Sequence, residues 1–290
     1  MSDLQRRTLL RAAALTAMGL GAAVAAPGTA SASASADTGD GRVNGRVPRG
    51  AISIQLYSLR DMLTADLEVT LAALAQIGYR KVEMAGTYGR TAVQFRAILD
   101  RHDLHATSTH VGVNANWQAS LDDALTLGNR FIVHPWANYA TADEWRRFAD
   151  ELESAGAAAR AAGLRFGYHN HAHEFARLPT GERPYDIITA TDPKLVHLEV
   201  DLYWAVTGSA DPVALFEQHG RRIKQFHVKD RAADGSFADV GKGTIDFRRI
   251  FANADETGVL EYIVERDSQP HPVDTARIGY EYLRKVRFGR

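Results

Sequence analysis

Short runs of alternating apolar and polar residues recur along the chain, and each is followed by a stretch with helical spacing of its apolar positions. Ile52 to Tyr57 alternates with a period of two, which is typical of a β-strand with two different faces. Leu67 to Ile77 then has an amphipathic helical pattern, which Gly78 ends. The pattern therefore predicts a strand followed by a helix, and the same pair recurs down to the last residues.

The predicted strands and helices alternate without a break. The strands are 52–57, 81–84, 105–111, 130–134, 165–169, 195–201, 222–228 and 261–265, and the helices are 67–77, 91–100, 120–127, 141–162, 185–190, 211–219, 247–256 and 273–286. Strands that alternate with helices form a parallel sheet. Eight such units predict an α/β fold, a (β/α)₈ TIM barrel.

An open doubly wound sheet is the alternative fold. Its dinucleotide-binding form carries a glycine fingerprint after the first strand, and here Leu56 to Arg60 occupies that place without a glycine. The chain also has no P-loop and no G-x-S-x-G nucleophile elbow. The pattern therefore favours the closed barrel.

Composition narrows the class of protein. The 290 residues carry a formal net charge of −1, with 45% apolar and 24% charged residues, as in ordinary soluble globular proteins. So balanced a charge argues against nucleic acid or an anionic membrane as a partner. The absence of cysteine excludes disulfides, thiolate zinc sites, iron–sulfur clusters and cysteine nucleophiles.

The first residues have the pattern of an export signal. Gln5 to Arg11 resembles the twin-arginine signal of bacteria; Ala12 to Ala26 is weakly apolar, and Ala30 to Ala36 offers A-x-A cleavage sites. The apolar run is shorter than the ~20 residues needed to span a bilayer. We predict a twin-arginine signal peptide over 1–36, a linker over 37–49 and the barrel over 50–290. The Tat machinery would then export the protein to the periplasm or the medium, with no membrane association after signal removal.

Four predicted strands in the second half each lead to a residue type that binds hard metal ions. These residues are Glu174, Asp201, His227 and Glu265. In a TIM barrel the carboxyl ends of all strands meet at the active-site face, so residues far apart in sequence come together there. Three carboxylates and one imidazole suit one divalent ion, Mn²⁺, Co²⁺, Mg²⁺ or Zn²⁺.

The alternation of side chains along the strands supports a metal site inside the barrel, but the ligand at the end of the fifth strand stays open. If Asp201 points into the barrel, Glu199 and His197 do too, and buried carboxylates need a counter-charge. After the fifth strand, the sequence HNHAHE offers several histidines beside Glu174. One of these histidines could replace Glu174 as a ligand or contact the substrate.

Other residues near strand ends are candidates for substrate binding. Trp136 and Trp204 could stack on a sugar or simply pack against the barrel, and Lys229 could hold an anionic oxygen. The glycine-rich segment 240–246 could form a mobile loop over the site. The candidate substrate-binding residues are Tyr57, Glu83, His110, His134, Trp136, His169, His171, Trp204 and Lys229.

Four segments carry a family resemblance. YHNHAHEF, EVDLYW, FHVKD and VGKGTIDF resemble the xylose isomerase-like TIM barrel superfamily, and within it the sugar phosphate isomerase/epimerase group. The resemblance implies that Glu174 and Glu265 are both metal ligands and proton-transfer groups, while Asp201 and His227 are ligands. It implies a divalent-metal-dependent sugar isomerase or epimerase, working by proton transfer next to a carbonyl through a metal-stabilised enediolate.

The chain differs from many ketose epimerases of the superfamily at one position, and this difference keeps other functions open. Ketose epimerases of the superfamily often have a histidine where this chain has Trp204. The alternative is a metal-dependent lyase or hydratase acting on an oxidised (3-keto) sugar or glycoside, and a second alternative is a non-catalytic sugar-binding barrel. In each case we expect a small carbohydrate or cyclitol as the partner, and a homo-oligomer is compatible with the sequence.

Overall fold

A computed structural model of the chain describes residues 45–254 and 258–289. Within them, eight parallel strands close into one barrel, and the strands follow each other around it in sequence order. The predicted (β/α)₈ TIM barrel is thus confirmed, and the open sheet is excluded. The predicted signal peptide, 1–36, and the linker residues 37–44 lie outside the described residues.

The elements have the following bounds. The strands are β1 Ile52–Gln55, β2 Lys81–Met84, β3 His105–His110, β4 Phe131–His134, β5 Arg165–His169, β6 Val196–Asp201, β7 Ile223–Val228, β8 Asp230–Arg231, β9 Phe237–Ala238 and β10 Glu261–Val264; β8 and β9 form a separate antiparallel pair. The helices are α1 Arg60–Ala65, α2 Leu67–Ile77, α3 Ala92–Arg101, α4 Trp117–Leu127, α5 Ala142–Ala161, α6 Pro184–Thr189, α7 Leu202–Thr207, α8 Pro212–His219, α9 Phe247–Ala254 and α10 Pro272–Lys285.

Local sequence explains where helices begin and end. Thr141 and Glu144 form a capping box at the start of α5, each side chain accepting from the other residue's backbone N–H. Asp66 caps α2 by accepting from the backbone N–H of Val69. Gly78 ends α2 with φ of 121°, a conformation that costs glycine little.

Most strands put apolar residues outside and polar residues inside the barrel, although Phe131 and Ile263 also point inward. Along β6, Leu198 and Val200 belong to the hydrophobic core together with residues of the surrounding helices. The intervening Glu199 meets His227 of β7 inside the barrel, and His227 Nε2 also lies 2.6 Å from Glu83 Oε2. Because β7 and β2 are not neighbours in the sheet, this contact crosses the barrel interior. The apolar core therefore lies between strands and helices.

Several details differ from the sequence prediction. The first strand ends at Gln55 rather than Tyr57, and Leu56–Leu59 forms a 3₁₀ helix. The sequence pattern did not predict α1, α7 or the β8–β9 pair. Helix α7 starts directly after β6 because Asp201 Oδ1 accepts a hydrogen bond from the Trp204 N–H at 2.9 Å.

Backbone hydrogen bonds also tie the described end of the predicted linker to the barrel. Gly45 pairs with Phe288 in an antiparallel bridge, and Val47 is buried.

Candidate active site

Four buried side chains meet at the carboxyl ends of β5, β6, β7 and β10. They are His169, Asp201, His227 and Glu265, and one ligand-type atom from each lies within 4.8 Å of the others. His227 Nδ1 is 2.7 Å from Glu265 Oε2, and His169 Nε2 is 3.3 Å from Asp201 Oδ2. We call these four residues the upper cluster. The structure thus brings together three of the four predicted ligands.

Among the described residues, Glu174, which the sequence predicts to be a ligand, belongs to neither metal-type cluster. It lies in a 3₁₀ helix, His173–Phe175, beyond the end of β5. Its Oε1 accepts from the Tyr168 hydroxyl at 2.7 Å and its Oε2 from the His171 backbone N–H at 2.8 Å. Burial raises the pKa of this carboxyl group. His169, the last residue of β5, takes its place beside the other three, as the sequence interpretation had left open.

A second, deeper layer lies below His227. Glu83, His110 and Glu199 surround its Nε2 atom, which is 2.6 Å from Glu83 Oε2 and 3.0 Å from Glu199 Oε1. Because Nε2 donates to these carboxylates, Nδ1 is the atom that would bind a metal ion in the upper cluster. Burial alone would lower the pKa of His227, but Glu199, Glu265 and Glu83 raise it well above the usual value, so metal binding at Nδ1 would displace a proton. This is the arrangement that supports a histidine ligand.

Glu83, His110, Glu199 and His227, the lower cluster, also have metal-type donors, but hydrogen bonds already engage them. Glu83 accepts from Gln55 Nε2 at 2.8 Å and from the Ser108 hydroxyl at 2.6 Å. His110 Nε2 lies 2.7 Å from Glu199 Oε1. The lower cluster is therefore best suited to support the upper cluster through hydrogen bonds. Glu83, expected to bind substrate, is fully buried in it.

The charges of the upper cluster fit a divalent cation. Lys229 Nζ lies 3.1 Å from Asp201 Oδ2, 2.9 Å from Glu265 Oε2 and 2.8 Å from Asp267 Oδ1. Three buried or half-buried carboxylates thus share the charges of Lys229 and His227, and His227 also faces Glu83 and Glu199, so the surplus of buried negative charge favours a further cation. Two imidazoles and two carboxylates are also a common donor set for Zn²⁺, Mn²⁺ and Co²⁺.

The environment fixes the protonation of several groups. Burial alone would lower the pKa of Lys229, but Asp201 and Glu265 outweigh it and raise that pKa, so the lysine is a permanent cation. Burial alone would raise the pKa of Glu265, yet Lys229 and His227 hold it well below the usual range. Burial lowers the pKa of His171 to about 2, helped by the neighbouring His169, so this imidazole is neutral at pH 7.

A cavity of about 510 Å³ opens above the upper cluster. At its rim stand two exposed aromatic side chains, Tyr57 with 44% and Trp136 with 53% of their surface accessible. Arg60 covers one face of the Tyr57 ring, its guanidinium carbon 4.3 Å from the ring centroid. The lining residues are Tyr57, Ala85, His110, Pro135, Trp136, His169, His171, Lys229, Glu265 and Asp267.

Two further residues expected to bind substrate do not line this cavity. His134 is buried; its Nδ1 accepts from the Val113 N–H at 3.1 Å, and its Nε2 donates to the Trp136 carbonyl at 2.9 Å. Trp204 is half-buried and packs edge-on against Phe237 and Tyr203. Their positions indicate that both residues support the cavity wall.

Two acidic residues of the site were not singled out as site residues in the sequence. Asp267 lies two residues beyond Glu265 and contacts Lys229, and burial together with Glu265 raises the pKa of Asp267 to about 6. Glu199 lies two residues before Asp201 and belongs to the lower cluster. Alternation along β6 already places Glu199 on the same face as Asp201. Asp267 lies in the loop beyond β10, where no strand periodicity could have identified it.

No helix among the described residues combines the length and the apolar character that crossing a membrane requires.

Comparison with known proteins gives a consistent set of relatives. The xylose isomerase-like TIM barrel family matches residues 71–286. The inosose dehydratase of Geobacillus kaustophilus is 26% identical, over 83% of this chain and 94% of that protein. The inosose dehydratase of Lacticaseibacillus casei is 32% identical, over 68% of this chain and 70% of that protein. A sugar phosphate isomerase/epimerase from Parabacteroides distasonis superposes with a TM-score of 0.73 at 27% identity, covering 81% of this chain and 94% of that one.

Proposed function

Because the chain belongs to the xylose isomerase-like TIM barrel family, we propose that it is a divalent-metal-dependent lyase that eliminates water or an alcohol from a polyhydroxylated ring ketone. The observation that carries the proposal is the upper cluster, with a buried lysine beside it, at the floor of an open cavity. The relatives named inosose dehydratase favour elimination over the isomerisation that we first expected from the sequence.

His169, Asp201, His227 and Glu265 would hold the ion. A divalent ion there would act as a Lewis acid that stabilises negative charge on substrate oxygens. Contacts to neighbouring groups hold these ligands in place. His227 contacts the lower cluster, and Asp201 accepts a hydrogen bond from the first turn of α7. Held in this way, the ligands need little reorganisation during the reaction.

The proton transfers fall to groups in the cavity wall. We assign Glu265 as the base that takes the proton from the carbon next to the carbonyl, since Lys229 and His227 keep it ionised. The electron pair left on that carbon then forms a double bond as the neighbouring carbon–oxygen bond breaks. The proton that Glu265 has taken up would then pass to the departing oxygen, and the neutral His171 would hydrogen-bond to the substrate; its Nδ1 has no hydrogen-bond partner among the described residues. Glu174 would position His171 through the bond to its backbone N–H.

Lys229 would stabilise the oxyanion of the reacting ketone. Its ammonium group lies at the cavity wall, stays charged, and contacts Glu265 at 2.9 Å. A fixed cation beside the developing charge lowers the barrier to proton removal, because it stabilises the oxyanion.

The size and rim of the cavity support a substrate with a ring-shaped polar core. A volume of about 510 Å³ lies in the range of small-molecule sites. Tyr57 and Trp136 expose ring faces on which a sugar or a cyclitol can stack.

Product analysis in deuterated water tests the proposal. The metal-loaded protein would be incubated with inosose, a 3-keto-glycoside and a ketohexose, followed by mass spectrometry and proton NMR. Elimination releases water or the aglycone alcohol and leaves an unsaturated ketone or its dicarbonyl tautomer. Glu265→Gln should lower kcat by at least ~100-fold. Saturable binding with no solvent deuterium in the ligand and no product would instead support a non-catalytic sugar-binding barrel.

A sugar isomerase or epimerase is the second candidate. It is favoured by the similarity to the Parabacteroides distasonis protein, which is named a sugar phosphate isomerase/epimerase. The first proton transfer would be the same, but the proton would return to carbon and no leaving group would depart. In the experiment above, a product of unchanged chemical formula that has gained one deuterium would establish this candidate and refute the lyase.

A further inference from the structure

A group of basic side chains surrounds the amino-terminal mouth of the barrel, at the opposite end from the upper cluster. Arg165 is the first residue of β5, Lys224 the second residue of β7, and Arg130 directly precedes β4. In a parallel barrel the starts of all strands lie on one face, so these residues meet there. The chain's net charge of −1 means that such a concentration of positive charge is a local feature.

A cavity of about 410 Å³ lies within this group. Four cationic side chains line it, and no described aspartate or glutamate does. Apolar side chains and the buried imidazole of His197 complete the wall. The lining residues are Arg160, Leu164, Arg165, Phe166, Pro193, Lys194, Leu195, His197 and Lys224.

The cations around this cavity repel one another. Within 45–254 and 258–289, none of the four forms an ion pair, whereas basic residues elsewhere, such as Arg249 with Asp211, commonly do. Desolvation lowers the pKa of Lys224, and Arg165, Arg221 and Arg130 lower it further. Folding therefore assembles like charges in a concave site, which an anion would stabilise.

We propose that this cavity binds a small phosphate-bearing molecule. Guanidinium groups match phosphate oxygens in pairs of parallel hydrogen bonds, and Arg160 and Arg165 supply two such groups. Lys194 and Lys224 add two ammonium groups, and the apolar wall formed by Leu164, Phe166 and Pro193 accommodates an organic portion. The site is separate from the upper cluster, so its ligand acts as an effector or stabiliser and is not the substrate.

Titration calorimetry with inorganic pyrophosphate, on the metal-loaded protein at low salt, tests the proposal. We expect saturable binding at about one site per chain, and a rise in Tm that increases with ligand concentration. Arg165→Ala combined with Lys224→Ala should weaken binding by roughly tenfold or more. Fructose 1,6-bisphosphate should compete with pyrophosphate, since both carry two phosphate groups.

A control variant with the same loss of charge distinguishes a specific binding site from nonspecific attraction by surface charge. Arg147→Ala combined with Arg248→Ala removes the same charge from exposed positions and should leave pyrophosphate binding unchanged. Equal weakening in both double variants, or no binding to the native protein, would overturn the proposal. So would binding to phosphatidylglycerol vesicles but not to pyrophosphate, because the cavity would then be part of a membrane-binding surface. Unchanged metal content and circular dichroism in both variants show that the barrel is intact.

Discussion

At the scale of single residues, His227 organises the site because its two nitrogens face different layers. Nε2 contacts the carboxylates of Glu83 and Glu199, and Nδ1 faces Glu265. The lower contacts determine which nitrogen is available to the upper cluster. A histidine at a strand end therefore acts together with carboxylates that the sequence places on distant strands.

Substitutions at His169 and Glu174 distinguish the ligand set proposed from the structure from the one predicted from the sequence. His169→Gln should weaken metal binding by roughly tenfold or more, because it removes an imidazole from the upper cluster. Glu174→Gln should leave metal affinity within about threefold of the native value, since its amide can keep the contacts to Tyr168 and the His171 N–H. Metal content and titration with Mn²⁺, Co²⁺ and Zn²⁺ measure both.

Loss of metal in Glu174→Gln, with full affinity in His169→Gln, would restore Glu174 as the ligand. Asp201→Asn is a positive control, since the introduced asparagine could still cap α7 through its side-chain carbonyl oxygen while the ligand charge is lost.

His197 makes stability depend on pH. Burial lowers its pKa to about 4, against about 6.5 for an unperturbed histidine. Below about pH 6.5 the unfolded chain binds a proton at this histidine, whereas the folded protein leaves it neutral down to about pH 4. Stability therefore falls as pH decreases from about 6.5 towards 4, and the contribution of the neutral His197 is fully present at higher pH. Between pH 7 and pH 5 the loss due to this residue is roughly 2 kcal/mol.

His197→Gln should therefore reduce the fall in the free energy of unfolding between pH 7 and pH 5 by roughly 2 kcal/mol. Urea unfolding at the two pH values measures it. The exposed His105→Gln serves as the control and should unfold with the native pH dependence. An unchanged pH dependence in His197→Gln would contradict this account.

At the scale of elements, Asp230 anchors the glycine-rich segment that follows β9. Its Oδ2 accepts from the N–H groups of Gly241 at 2.9 Å and Gly243 at 2.8 Å, and its Oδ1 from those of Arg231 at 2.8 Å and Ile245 at 3.2 Å. A carbon side chain on Gly243 would lie 2.4 Å from the Arg231 carbonyl oxygen, so only glycine fits. The segment 240–246, considered a mobile loop from its composition, is thus held by one carboxylate.

Asp230→Asn should destabilise the fold by roughly 2–4 kcal/mol, because the new amide group would face N–H donors and leave two of them unpaired. Urea unfolding measures the loss, and hydrogen exchange should show faster exchange at residues 241–245. The exposed Asp234→Asn, which affects only a local turn with Ser236, should leave stability nearly unchanged. Equal stability in the two variants would show that Asp230 does not anchor the segment.

At the scale of the whole molecule, the two ends of the barrel carry side chains of opposite charge. Anionic ligand-type residues lie at the carboxyl ends of the strands, and the four cations of the second cavity, which form no ion pair within the described ranges, lie at the amino ends. The apolar core between strands and helices holds both ends in place. The two proposed sites can therefore be changed independently.

Export remains a prediction from the sequence of residues 1–36. Arg6→Lys combined with Arg7→Lys should keep the protein in the cytoplasm, because the twin-arginine pair is the feature the resemblance rests on. Cell fractionation and immunoblotting measure the distribution. Arg46→Lys combined with Arg49→Lys, outside the predicted signal, should not alter it. Unchanged export of the first variant would refute the twin-arginine route.

The sequence by itself determined the barrel, the strands that build it, and three of the four residues of the upper cluster. This was possible because alternation and helical spacing are local properties, and because a parallel barrel brings the ends of its strands together whatever their distance along the chain. Asp201, His227 and Glu265 lie at the ends of their strands or follow them directly, so their positions required no knowledge of loop conformation.

Only the tertiary structure decided the rest. The 3₁₀ turn after β5 directs Glu174 towards Tyr168 and leaves His169 in the cluster, and loop conformation of this kind is not encoded in any periodicity. The contact between Glu83 and His227 joins residues on strands that are not neighbours, and depends on the stagger of the closed barrel. The cationic cavity likewise forms from residues that lie apart in sequence and meet only when the barrel closes.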